Sequence, residues 1–221
     1  MFSLAKTIQN AGRSILNIYF DIRIIGSLPK TNKPLVLLGN HTGLIDGPLL
    51  FSATNRTMAV LTKTEVFNGF TKRILNSGLA IETDWKDADR AAVENGRKYL
   101  ANGVDVGLFP EGTRCRGDFA WLKDGVILIN SESRADFIPV FIFGTRHTGK
   151  SKNWIPPYKS LIEIVIGSPI KAADLYHENF DDLNRKQISI VGERLRQSLQ
   201  LQLQGAQASV SNALPEDDVS E

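Results

Sequence analysis

The chain has 221 residues, of which 42% are hydrophobic and 23% charged, and its formal net charge is +2. This is the composition of an ordinary globular domain with one sizeable core, and so small a net charge gives no ground for a nucleic-acid partner. Cys115 is the sole cysteine, which excludes an intrachain disulfide and is consistent with a reducing compartment.

Residues 2–20 predict an amphipathic helix. Leu4, Ile8, Ala11, Ile15 and Ile18/Tyr19 recur at helical spacing, and Phe2, Leu16 and Phe20 widen the apolar face. Such a stripe either packs on its own domain or lies in a membrane interface, with Lys6 and Arg13 near anionic headgroups. Lys6, Gln9, Asn10, Arg13 and Asn17 interrupt the segment, so it has no signal-peptide core. No window approaches the roughly 18 unbroken apolar residues of a spanning helix. The expectation is an intracellular protein that does not cross a membrane.

A short extended piece over 22–28 and a polar turn lead to the apolar run 34–38, whose length and branching predict a buried strand. Helix is expected over 48–54, strand over 58–61, and a helical stretch from Lys63 to about residue 78. A short strand over 79–81 and a helix over 87–101 follow, with Gly103 as its stop signal. Further strands are expected over 104–109, 137–143 and 160–166, and further helices over 124–133 and 184–203. Strands alternating with helices predict an α/β layered sheet, parallel or mixed, with flanking helices. Three segments result: an N-terminal amphipathic helix (1–20), the α/β domain (21–204), and a polar, acidic tail (205–221) that reads as disordered.

Two loops carry chemistry. After the 34–38 strand, His41 and Asp46 lie five apart, a spacing that brings them together only if the backbone bends between them. Gly43 permits the bend, and Pro48 suits the first turn of a helix with Asp46 near its cap. A histidine held by a carboxylate is the usual general base for removing a hydroxyl proton; a loop histidine beside a capping acid is the inert alternative. After the 104–109 strand, the segment FPEGTR (109–114) sets Glu111 and Arg114 in a tight turn. Arg114 suits bidentate binding of a phosphate or carboxylate. Glu111 could hold that arginine or receive a substrate hydroxyl, while Thr113 and the local amides add donors. A surface turn with a local ion pair is the inert alternative here.

A third segment, GTRHTGKS (144–151), matches the phosphate-binding pattern G-x-x-x-x-G-K-S. That pattern needs a helix immediately afterwards. Pro156 and Pro157 argue against one, so nucleotide binding is not expected.

Taken together, Asn40, His41 and Asp46 resemble the NHxxxxD block of glycerolipid acyltransferases of the 1-acylglycerol-3-phosphate acyltransferase type, and residues 109–114 are identical to that family's FPEGTR block. Similarity extends through residues 63–67, Phe119, Lys123, Asp124 and Gly125, and through Ile138, Pro139 and Val140, covering about residues 30–170. The resemblance implies the glycerolipid acyltransferase fold and transfer of a fatty acyl group from acyl-CoA or acyl-acyl-carrier-protein to a lysophospholipid hydroxyl. No acyl-enzyme, metal or tightly bound cofactor is implied. His41, oriented by Asp46, would be the general base; Glu111, Gly112, Thr113 and Arg114 would bind the acceptor headgroup, with Asn40, Lys63 and Lys123 contributing. The lipid substrate that the resemblance implies makes a peripheral membrane location the expectation, on the cytoplasmic face because neither a signal sequence nor a disulfide is expected. One position departs from the family: Asp84 stands where an arginine is expected. Lys63, Lys123 or Arg116 could compensate, so lysophosphatidate is the leading acceptor and an amine-bearing or zwitterionic lyso-lipid stays open. Two other readings compete: an enzyme with Cys115 as nucleophile, activated by Arg114 and Arg116, and a non-catalytic lipid-binding module. No G-x-S-x-G is present for a serine hydrolase.

Overall fold

The computed structural model describes residues 2–63, 80–83, 90–176 and 183–217, without the side chains of residues 2–5, 63 and 82. The helix expected from Lys63 to about residue 78, and Asp84, therefore lie outside the described residues.

In chain order the elements are α1 (Phe2–Tyr19), β1 (Asp21–Ile25), β2 (Leu35–Gly39), α2 (Asp46–Ser52), β3 (Met58–Lys63) and β4 (Ala80–Thr83). They continue as α3 (Arg90–Ala101), β5 (Asp105–Leu108), α4 (Gly125–Asn130), β6 (Asp136–Phe143), β7 (Leu161–Ile166), α5 (Ala172–Leu175) and α6 (Arg185–Gln207). The described strands form one sheet in the order β1-β7-β6-β2-β5-β3-β4. Every pairing is parallel except β6 with β7. The α/β expectation holds, and the sheet is mixed.

Alternation along the central strands divides the interior into two cores. Leu35 and Leu37 of β2, with Ile138, Val140 and Ile142 of β6, join Leu49 and Leu50 of α2 and Phe20 on one face. Val36 and Leu38, with Phe137, Phe141 and Phe143, meet α3, α4 and α6 on the other. Both faces being covered, the inner strands read as nearly continuous apolar runs. Pro139 fits in β6 because its nitrogen points toward β7, whose pairing begins only at Val140.

The chain leaves β2 toward the α1/α2 face and leaves β5 toward the opposite face, although the two strands are neighbours. Such divergence opens a crevice at the carboxyl ends of the strands. His41 follows β2, residues 109–114 follow β5, and the loop 144–160 follows β6, so all three converge there.

Two expectations are corrected. The apolar face expected for α1 divides: Ile15 is 65% and Ile18 68% exposed, while Leu16, with Phe20 just beyond the helix, packs into the core. The helix docks as well through Gln9, whose amide meets the carbonyls of Phe51, Thr54 and Arg56, and through Arg13, bonded to Ser52, Thr54 and Asn55. Carbonyls at the end of α2 need donors, and these side chains supply them, so Arg13 is not free for headgroups. The tail is corrected as well. Helix α6, started by a capping box between Asn184 and Gln187, runs on to Gln207, and residues 208–217 lie on the domain. Val210 and Leu214 pack against the core, while Ser211 and Asn212 donate to the buried Glu163 carboxylate. Buried charge requires such partners, and composition alone does not reveal it.

Candidate active site

The bend between His41 and Asp46 closes as the spacing requires. His41 Nδ1 lies 2.9 Å from Asp46 Oδ2. The same oxygen accepts the backbone N–H groups of Thr42 at 2.6 Å and Gly43 at 2.8 Å. Asp46 is fully buried at the start of α2. Three donors converging on one carboxylate oxygen fix its orientation, and its negative charge suits a helix N-terminus. This network assigns the Nδ1 proton to the Asp46 bond and leaves Nε2 as the available nitrogen. The His41 side chain is 20% exposed, so the ring is held yet reachable. Gly43 is required by contact rather than by dihedral angle: a Cβ there would lie 2.6 Å from the Thr145 carbonyl oxygen.

Phe109 stacks on the imidazole, with 4.1 Å between ring centroids and 19° between planes. The ring also lies against Gly39, where a Cβ would come within 2.8 Å of it. Neither contact was legible from the motif, whose phenylalanine signals only a buried strand end.

The FPEGTR loop divides into a buried half and an outward half. Glu111 is fully buried, with Oε1 accepting the Phe119 N–H at 2.9 Å. Burial pushes its carboxyl up to about 7, against the pull of the Cys115 thiol and the Phe119 and His41 N–H groups. It does not pair with Arg114, contrary to the local ion pair considered above, and it sits beneath the crevice. Arg114 is half-buried; its Nη1 donates to the Lys152 carbonyl at 2.7 Å and to Asn153 Oδ1 at 2.9 Å. Thr113 and Lys123 are exposed, and the turn at Gly112 is closed by its N–H on the Phe109 carbonyl.

Asn40, expected among the substrate-binding residues, is spent on the scaffold. Its side chain is fully buried, donating to the Ile142 carbonyl at 3.0 Å and accepting the Ile142 N–H at 2.6 Å. It thereby ties the end of β2 to β6. The Lys63 side chain lies outside the described residues.

Cys115 is buried, and burial pushes its thiol well up. A thiolate nucleophile needs the opposite shift, so the Cys115 reading loses its physical basis. The GTRHTGKS loop is followed by turns up to β7 rather than by a helix, and its Thr145 and Arg146 point into the protein. A separate surface cleft of about 650 Å³ opens at the opposite end of the sheet, among Leu28, Lys30, Thr54, Arg56 and Ile166. Its Arg56 is committed to Asp105 and to the Thr31 and Lys33 carbonyls, and it is remote from His41. Among the described residues no group of acids, histidines and cysteine could hold a metal ion.

Known proteins resemble this arrangement. A 1-acyl-sn-glycerol-3-phosphate acyltransferase of Chlamydomonas reinhardtii is 26% identical over 168 residues, 71% of this chain and 49% of its own. The chain thus spans about half the length of that relative. One of Bacillus subtilis (strain 168) with the same name is 25% identical over 182 residues, 78% of this chain and 85% of its own. The fold matches the crystal structure of the 1-acyl-sn-glycerophosphate acyltransferase PlsC of Thermotoga maritima, with a TM-score of 0.63 at 22% identity over 88% of this chain and 79% of that one. A family model described as Acyltransferase covers residues 21–172, which include both motif loops. The chain belongs to the acyltransferase family.

Proposed function

We propose that this protein transfers a fatty acyl group from an acyl thioester, acyl-CoA or acyl-acyl-carrier-protein, to a hydroxyl of a lysophospholipid, with lysophosphatidate as the acceptor. The observation that carries this reading is the His41–Asp46 pair at the mouth of the crevice, Nδ1 held at 2.9 Å and Nε2 left available. His41 Nε2 takes the proton of the acceptor hydroxyl as its oxygen attacks the thioester carbonyl. The tetrahedral intermediate then collapses, the C–S bond breaks, and the departing thiolate recovers the proton from His41. Asp46 holds the ring and stabilises the imidazolium between the two steps. Arg114, Thr113 and Lys123 supply cationic and hydroxyl donors for the headgroup phosphate. A headgroup carrying an amine is the second reading, motivated by the acid at Asp84.

A membrane-borne substrate also accounts for the exposed apolar side chains. The end of α1, the start of β7 and the loop between β6 and β7 share the carboxyl end of the sheet with His41, as the strand pairings require. Ile15, Ile18, Tyr19, Leu44, Trp121 and Tyr158 are all exposed there. Insertion of these groups into a lipid surface would dock the protein peripherally with the crevice facing the acceptor. Among the described residues no helix is long and apolar enough to cross a membrane.

The deciding experiment is thiol release from both donors, with lysophosphatidate and a panel of neutral and amine-bearing lyso-lipids, comparing the parent with His41→Ala. Release that depends on lysophosphatidate and on His41 is expected. Dependence on another acceptor alone overturns the substrate, and acceptor-independent thiol release overturns the transferase. For the membrane, Ile15→Ser with Ile18→Ser is expected to reduce co-sedimentation with anionic liposomes; unchanged binding refutes docking by this face.

A further inference from the structure

We infer that Asp217 is a positioning residue for acceptor binding, strapping the loop after β6 so that the loop holds the Arg114 guanidinium in place. The inference rests on the acyltransferase reading and on Arg114 as a phosphate ligand.

Arg146 is the anchor. It is 1% exposed, and its Nε has no partner among the described residues. Its Nη1 donates to Asp217 Oδ1 at 3.0 Å and to the Lys150 carbonyl at 3.2 Å. Its Nη2 donates to the Asp217 carbonyl at 2.7 Å and, at 3.5 Å, to that of Cys115. The other carboxylate oxygen of Asp217 accepts the Gly149 N–H at 3.1 Å, and the neighbouring Glu216 N–H donates to Thr148 Oγ1 at 3.1 Å. Four successive bonds thus pin residues 146–149 to the segment after α6. Two residues beyond Lys150, the Lys152 carbonyl and Asn153 Oδ1 accept from Arg114 Nη1.

Between β6 and β7 the loop has its own turns, a Thr145–Thr42 hydroxyl contact at its start and a bond to the Tyr19 carbonyl at its end, and over residues 146–149 these anchors are what tie it to the domain. Among the described residues, Asp217 also supplies the carboxylate that pairs with this nearly inaccessible guanidinium. Without it, Arg146 must find water, and the loop must move to admit it. The Lys152 and Asn153 acceptors move with the loop. A guanidinium held in one orientation loses less freedom on binding phosphate than a loose one. The strap therefore acts on acceptor affinity, while His41, held by Asp46, keeps its geometry.

The test compares the parent with Asp217→Ala, Asp217→Asn and Asp217→Glu in the full chain, using lysophosphatidate as the acceptor. Asp217→Ala is expected to raise the acceptor KM about tenfold with kcat within twofold. The isosteric Asp217→Asn, which loses the charge and the Gly149 bond, falls between, and Asp217→Glu restores most of the affinity. A lower Tm with unchanged kcat and KM overturns the proposal, because the strap is then merely structural. A fall in kcat at unchanged KM overturns it too. Amide exchange provides an independent readout: residues 147–153 and the Arg114 loop should exchange faster in Asp217→Ala. If the parent turns over no acceptor, the acyltransferase reading fails; unchanged exchange then also overturns the strap.

Discussion

The Phe109 ring lies almost parallel to the His41 imidazole, at 4.1 Å between centroids, and its Cδ1–Cε1 edge lies close against Gly39. The two motif loops are therefore in direct contact: the first residue of one is a shelf for the imidazole of the other. Asp46 sets one nitrogen of the imidazole and Phe109 sets the plane. Together they aim Nε2 into the crevice.

Phe109→Leu keeps most of the volume and removes the shelf. Small errors in placing a catalytic group cost much in rate. We expect kcat to fall about tenfold while Tm changes by only a few degrees, measured by thiol release and thermal unfolding. Gly39→Ala probes the same shelf at its edge, since its Cβ meets the ring at 2.8 Å and forces it to shift. Parent-like kcat in both variants would remove the shelf from the mechanism.

Asp46→Asn leaves the shape and changes the donor pattern. All three donors meet Oδ2, so an amide oxygen there holds them more weakly and without the charge that fixes the Nδ1 proton and favours the imidazolium. A loss in kcat on the order of ten-thousandfold is expected, by analogy with hydroxyl-activating triads. Weakened bonds to Thr42 and Gly43 should also cost about 2 kcal/mol of stability. Steady-state kinetics and urea unfolding on one preparation separate the two effects.

Much of this geometry is legible in the sequence because it rests on local rules. The five-residue spacing of His41 and Asp46 with Pro48 beyond, and the apolar run of β6, state a bent loop before a helix and a buried strand. What the sequence hides depends on partners far along the chain. On α1, hydrophobic periodicity picks out Ile15 and Ile18, yet these are exposed, and Gln9 and Arg13 join Leu16 in making the contacts. The reason is the set of bare carbonyls some forty residues away at the end of α2. The last residues look like a solvated tail until the buried Glu163 and Arg146 are seen to need them. Asn40 stands next to His41 and is equally compatible with a ligand or with a brace.

Asn40→Ala tests the brace. It deletes two buried hydrogen bonds and leaves the Ile142 N–H and carbonyl unsatisfied, which should cost about 2–4 kcal/mol. The KM of the folded fraction for acceptor should stay close to that of the parent. A large rise in KM with little loss of stability would return Asn40 to the substrate-binding set.

Glu111 gives the stability of the protein a pH dependence of unusual sign. Its carboxyl is buried, Oε2 has no partner among the described residues, and burial pushes it up to about 7 from an ordinary 4.5. Between these two values the folded protein keeps a proton that the unfolded chain has already released. Stability from this group is therefore greatest below pH 4.5, declines as pH rises, and is fully lost above about pH 7. The difference amounts to about 3 kcal/mol. Glu111→Gln is neutral throughout, so urea midpoints of the variant should stay level between pH 5 and pH 8 apart from what other groups contribute. Those of the parent should fall further over the same range, and the difference between the two curves isolates Glu111. Parallel curves would mean that the carboxyl is already ionised at pH 5, with an unseen donor at Oε2. A gap that widens with pH would establish a protonated carboxyl in the buried half of the loop that carries Phe109.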